Sequence, residues 1–172
     1  MSEPIWGRRP PPHTSPADSV AVWDGRPCTL ADVTELRLLL REGLADAARR
    51  GDADDADIER LLLVFEELTS NGLRHGQTPV RVVVTTTACG WLIDVSDAAA
   101  DRPPMLAVGR DAAQGGLGLY LVARLSAAHG WMVEDDRKHV WARLDYASRS
   151  VPVPAPPLPR PRDETTGRSQ FQ

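Results

Sequence analysis

The feature that most constrains the fold is a change of period near the middle of the chain. Ile58, Leu61, Phe65, Leu68 and Gly72 recur at steps of three and four, which draws one apolar stripe along a helix. Immediately afterwards "PVRVVVTTT" (79–87), the turn "ACG" (88–90) and "WLIDVSD" (91–97) read as two β-rich runs joined in a hairpin. A striped helix followed by a hairpin has to bury the stripe against the sheet.

Neighbouring stretches repeat this grammar. "TLADVTELRLLLREGLADAARRG" (29–51) opens with Thr29 and Asp32 in capping-box spacing, closes on Gly51, and sets Val33, Leu36, Leu40, Leu44 and Ala47 at helical intervals. The acidic run "GDADDADIE" (51–59) suits the start of the second helix, where carboxylates face the positive end of the macrodipole, and it is assigned no metal. "LGLYLVARLSAAHG" predicts a third helix ending at Gly130, and "WMVEDD" with "HVWARLDY" predicts a second hairpin turning around Arg137 and Lys138. The expected order is helix, helix, two strands, a long connection, helix, two strands. That order implies an α+β two-layer sandwich, a mostly antiparallel sheet with helices on one face.

The chain has 172 residues and 15 prolines, and the prolines crowd its ends. One domain is expected over 20–148, between a disordered tail at 1–19 and a Pro-rich disordered tail at 149–172. "PPLPRP" in the second tail is of a kind that aromatic-lined grooves recognise, although such tails usually bind nothing specific. A formal charge of −4 gives no basic footprint for nucleic acid. Cys28 and Cys89 stand far apart without a C-x-x-C, so reduced thiols are expected. The start "MSEPIWGRRPPPH" lacks an apolar signal core, and no apolar run approaches the roughly 20 residues of a membrane span, so a cytoplasmic protein is expected.

Chemistry concentrates in three places. Within "FEELTSNGLRHG" (65–76), Glu67, Asn71 and His75 follow at steps of four and form a slanting row on one helix face. Glu67 and Asn71 each precede a stripe residue by one position, which puts them at the margin of the buried face. Asn71 offers a neutral oxygen to a hard cation such as Mg²⁺, and Glu67 one turn earlier can accept a proton; both also read simply as surface polar residues. His75 reads equally as a residue favourable to the helix C-terminus, and Asp97, at the end of "WLIDVSD", as the start of a turn. Gly115, Gly116 and Gly118 let backbone approach a ligand at the start of a helix, or merely end a flexible loop. The long stretch 98–116, with Pro103 and Pro104, has the length of a lid.

Several nucleotide motifs are excluded. The spacing is not G-x-G-x-x-G behind a strand, and a Walker A loop needs a lysine that this chain lacks there, because Lys138 is its only one. No H-R-D or D-F-G of the eukaryotic-type kinases occurs.

Together, Glu67-Leu68, Asn71 and Arg74-His75-Gly76 resemble the N box of the Bergerat ATP-binding fold shared by histidine kinases and the gyrase ATPase domain. "DVSD" before Pro103-Pro104 resembles its adenine box and "GGLGLYLV" its lid box, with the whole likeness spanning about 20–146. The resemblance is closest to the small bacterial anti-sigma-factor serine kinases. It implies ATP and Mg²⁺ as cofactors, Glu67 as general base, Asn71 as the Mg²⁺ ligand and Asp97 as acceptor for the adenine amino group. It further implies Gly115, Gly116, Leu117 and Gly118 over the phosphates, Arg74 and His75 flanking the nucleotide, and Leu68 and Leu119 as packing residues. An anti-sigma antagonist protein, a sigma factor and a homodimer are the implied partners. Ala99, Asp101 and Gln114 stand where relatives carry glycine, and the last strand lacks the Thr that many relatives use near the adenine. Three functions follow as expectations: a serine/threonine protein kinase, a nucleotide-gated binding module without transfer, or a fold relic that no longer binds nucleotide. A histidine kinase is disfavoured, since no dimerisation and phosphoacceptor helices precede the domain.

Overall fold

The computed structural model describes residues 5–13, 19–49, 53–104 and 117–147. In order they form β1 (Val20–Gly25), α1 (Leu30–Arg49), α2 (Asp55–His75), β2 (Arg81–Thr87), β3 (Gly90–Asp97), α3 (Leu117–Leu125), β4 (Ala128–Glu134) and β5 (Arg137–Asp145). The strands make one antiparallel sheet in the order β1-β2-β3-β5-β4. The α+β class and the two layers are those of the Bergerat fold.

Helix starts are set by local chemistry. Asp32 Oδ2 accepts from the amides of Cys28 and Thr29, both at 2.8 Å, which satisfies backbone donors ahead of α1. Asp54 and Asp57 close a reciprocal capping box at α2. Asp57 does more than start a helix. Buried, it accepts from Arg60 Nη2 at 2.7 Å and from the Ala147 amide at 3.0 Å, tying the head of α2 to the chain leaving β5.

The stripe Ile58, Leu61, Phe65, Leu68 and Gly72 is wholly buried, as its spacing requires. It meets Val82 and Val84 of β2, Trp91, Ile93 and Val95 of β3, and Val140, Ala142 and Leu144 of β5, while α1 adds Leu40 and Leu44. Alternate strand residues thus supply one dry face.

Several expectations are corrected. There are five strands among the described residues, not four: β1 was not anticipated, because its six residues carry a bulge between Ala21 and Trp23 and end in Asp24-Gly25. The third helix stops at Leu125 rather than at Gly130, and the next residues join β4. Ser126 donates both its amide and its Oγ to Val122 O, and the Ala127 amide turns to Arg143 O, so the sheet captures the chain there. The second hairpin turns on Asp135 and Asp136, at φ 48° and 58°, and Arg137 and Lys138 already belong to β5. A two-residue turn of that hand needs positive φ twice, which a short Asp side chain tolerates.

The disordered tail expected at 1–19 is also corrected over residues 5–9. Arg8 bridges Trp131 in parallel, with Arg9 N donating to Trp131 O at 2.9 Å. Trp6 is buried against His129, and its Nε1 donates to Leu119 O in α3 at 3.1 Å. Arg9 O accepts from Trp141 Nε1 at 2.9 Å, and the Arg9 guanidinium sits 5.9 Å from that ring. This strap protects the free edge of β4. Its sequence is Pro- and Arg-rich, which hid the one large apolar anchor. Trp6→Ala is expected to lower unfolding free energy by about 3–5 kcal/mol, as for other buried tryptophans. Urea denaturation checks this; a loss below about 1 kcal/mol, the range of a surface substitution, would detach the strap from the folded core.

The expected lid from 105 onward, the helix stop at Gly51 and the Pro-rich tail at 149–172 lie outside the described residues. No helix among the described residues is long and apolar enough to cross a membrane.

Candidate functional site

Glu67 and Asn71 stand on α2 beside the buried stripe and are both half-buried. The helix comes close to the sheet at Gly72, where a Cβ would meet Val95 Cγ1 at 3.2 Å. That close approach holds the polar margin of α2 over the ends of β3 and β5. The Asn71 side chain makes no hydrogen bond among the described residues. Arg74 and His75 are exposed on the last turn.

Gly118 is where α3 meets this margin. A Cβ added there would overlap Glu67 Oε2, so any larger residue would displace the carboxylate from the first turn of α3. Burial raises the pKa of Glu67 above the ordinary glutamate value; neighbouring Glu66 adds to the rise and Arg74 opposes it. A carboxyl so perturbed, facing a helix N-terminus, is suited to proton transfer. Leu117 precedes it, exposed, and Leu119 follows, buried. Gly115 and Gly116 lie outside the described residues.

At the far end of α2 the chain runs past Asp97. Asp97 is 1% exposed; its Oδ1 accepts from the amides of Ala99 at 2.8 Å and Gln77 at 3.4 Å. A Cβ on Gly76 would lie 2.6 Å from Asp97 Oδ2, so this glycine also is required by close approach. Oδ2 forms an ion pair with Lys138 Nζ at 3.1 Å and has no other hydrogen-bond partner. Ala99, at one of the expected glycine positions, is fully buried, and its amide holds the carboxylate.

The fold therefore sets Glu67 and Gly118 at one end of a line along α2, Asn71 midway, and Gly76 and Asp97 at the other end. Nine residues from Glu67 to Gly76, at 1.5 Å each, give about 13 Å between the ends. Lys138 was not anticipated beside Asp97. Its one available signal was chemical, the lone lysine of an arginine-rich chain, since its position opposite Asp97 depends on the β3–β5 register.

A family model described as a histidine kinase-like ATPase domain matches residues 29–144, which runs from the start of α1 through β5. The chain belongs to this family. No curated protein matches the chain. In a histidine kinase-like ATPase domain ATP binding is implied, and two observations fit a nucleotide: the buried Asp97 oxygen whose one partner is Lys138, and the close approach of backbone to Glu67 and Asp97 at Gly118 and Gly76. No group of three or more His, Cys, Asp or Glu among the described residues could hold a metal by itself. A cation here would depend on Asn71, water and phosphate oxygens, as Mg²⁺ commonly does.

Proposed function

We propose that this histidine kinase-like ATPase domain is a serine/threonine protein kinase of the anti-sigma-factor type. In this reading the base of ATP meets Asp97 and the phosphates lie toward Asn71 and the first turn of α3. The observation that carries it is the carboxylate of Glu67 closed on by Gly118, on the helix whose end abuts Asp97.

Bound Mg-ATP would supply the γ-phosphoryl group and neutralise its charge. Asp97 Oδ2 accepts a hydrogen bond from the 6-amino group. Asn71 gives its carboxamide oxygen to the cation. Glu67 takes the proton of the attacking serine or threonine hydroxyl, and burial keeps the carboxylate basic enough to do so. Phosphoryl transfer asks chiefly for positioning and electrostatic stabilisation, which this layout provides. Arg74 and His75, exposed at the end of α2, are placed to flank the nucleotide.

The implied partner is a small anti-sigma antagonist protein, with a sigma factor as the target of sequestration and a homodimer as the assembly. No contact with nucleic acid or membrane is proposed. A second reading, a nucleotide-gated binding module without kinase activity, is favoured by Ala99 and Asp101 at positions where relatives have glycine. Labelled γ-phosphate with partners captured from the native host separates the two. Label on a serine or threonine of a captured protein is the expected result; Mg-ATP binding with no labelled partner selects the module.

A further inference from the structure

Asp97 and Lys138 are register partners on β3 and β5, and their side chains face the helix layer beside Val95 and Val140. They are 1% and 2% exposed, and their charged atoms are 3.1 Å apart. A buried ion pair repays its desolvation only when its remaining donors and acceptors are also satisfied. Here they are not. Lys138 Nζ has three protons and makes no other ion pair or hydrogen bond among the described residues, while Asp97 Oδ2 has no hydrogen-bond partner beyond the pair. Side by side, an acceptor and a set of donors that engage only each other match a ligand edge with the opposite pattern.

We propose that Lys138 is a base-specificity residue: its Nζ donates to ring nitrogen N1 of adenine while Asp97 Oδ2 accepts from the 6-amino group. The assignment rests on reading the cleft as a purine nucleotide site. Adenine presents a donor and an acceptor on adjacent atoms, and both resulting bonds are charge-assisted.

The test is calorimetric titration of the full chain with Mg-ATP and with 1-deaza-ATP, which keeps the 6-amino group and replaces N1 by C–H. The wild-type protein is expected to bind ATP on the order of 10- to 100-fold more tightly, the worth of a hydrogen bond to a charged group. Lys138→Met is expected to weaken ATP to about the affinity of the analogue and erase the preference. Equal binding of the two ligands by wild type overturns the role of Lys138 while leaving the ATP site standing. Full preference retained in Lys138→Met, or tighter ATP binding by it, also overturns that role. Binding of neither ligand overturns the purine site itself. The wild-type comparison decides even where the variant does not fold.

Discussion

Glu67→Gln leaves ATP binding intact and slows phosphoryl transfer by roughly 10²- to 10⁴-fold, the usual contribution of a positioned general base. That factor corresponds to about 3–5 kcal/mol of transition-state stabilisation at 1.36 kcal/mol per decade. The amide keeps the size of the carboxylate, so the contact with Gly118 survives and the first turn of α3 stays in place. On the proposed mechanism only the proton acceptor is lost. Single-turnover transfer with labelled ATP reads the effect, and a variant as fast as its parent removes Glu67 from the chemistry.

The pH dependence follows from the same burial. Because the folded pKa of Glu67 is raised, its protonated fraction persists to higher pH than for a free glutamate. The acid limb of the transfer rate is therefore shifted upward, and Glu67→Gln lacks it. For stability the sign is opposite to that of a salt-bridged acid. The favourable contribution is complete below the unfolded pKa and is lost as pH rises through the folded pKa, so the ionised form is a cost at neutral pH. Glu67→Gln is accordingly no less stable than the parent at pH 7, and it loses the pH dependence contributed by this group.

Asp97→Asn gives the second large effect, on stability and binding together. The substitution keeps an oxygen for the Ala99 amide but sets an amide N–H₂ against the Lys138 ammonium, leaving that charge buried without its counter-ion. Breaking one partner of a buried pair costs about 3–5 kcal/mol. On the proposed reading ATP affinity falls as well, on the order of 10- to 100-fold, because the acceptor for the 6-amino group would be gone. The double variant Asp97→Asn/Lys138→Met separates the two effects. It recovers much of the stability, since no lone charge remains, yet it does not recover ATP binding. Nucleotide titrations identical for Asp97→Asn and its parent would show that the carboxylate does not read the base.

What was legible in the sequence was whatever short-range chemistry decides. The α2 stripe, the caps at Thr29–Asp32 and the turn at Ala88-Cys89 each depend on residues within a few positions. The row Glu67-Asn71 and the end of β3 at Asp97 were legible on the same grounds. What was hidden depends on long-range pairing. Ala128–Gly130 has a helical look until β5 offers hydrogen bonds, and Trp6 looks like part of a tail until α3 and His129 enclose it. Lys138 gained meaning only from the register that places it opposite Asp97. Neither partner's neighbours in sequence announce the other.

That register also makes this protein unusual as a chemical target. Every other basic side chain longer than histidine is an arginine, and the single ε-amine is 3% accessible at its side chain and shielded by the Asp97 carboxylate. Acylating reagents aimed at amines would leave nearly the whole surface untouched. Their rate of reaction at that one nitrogen would report how often the Asp97–Lys138 pair is exposed to solvent.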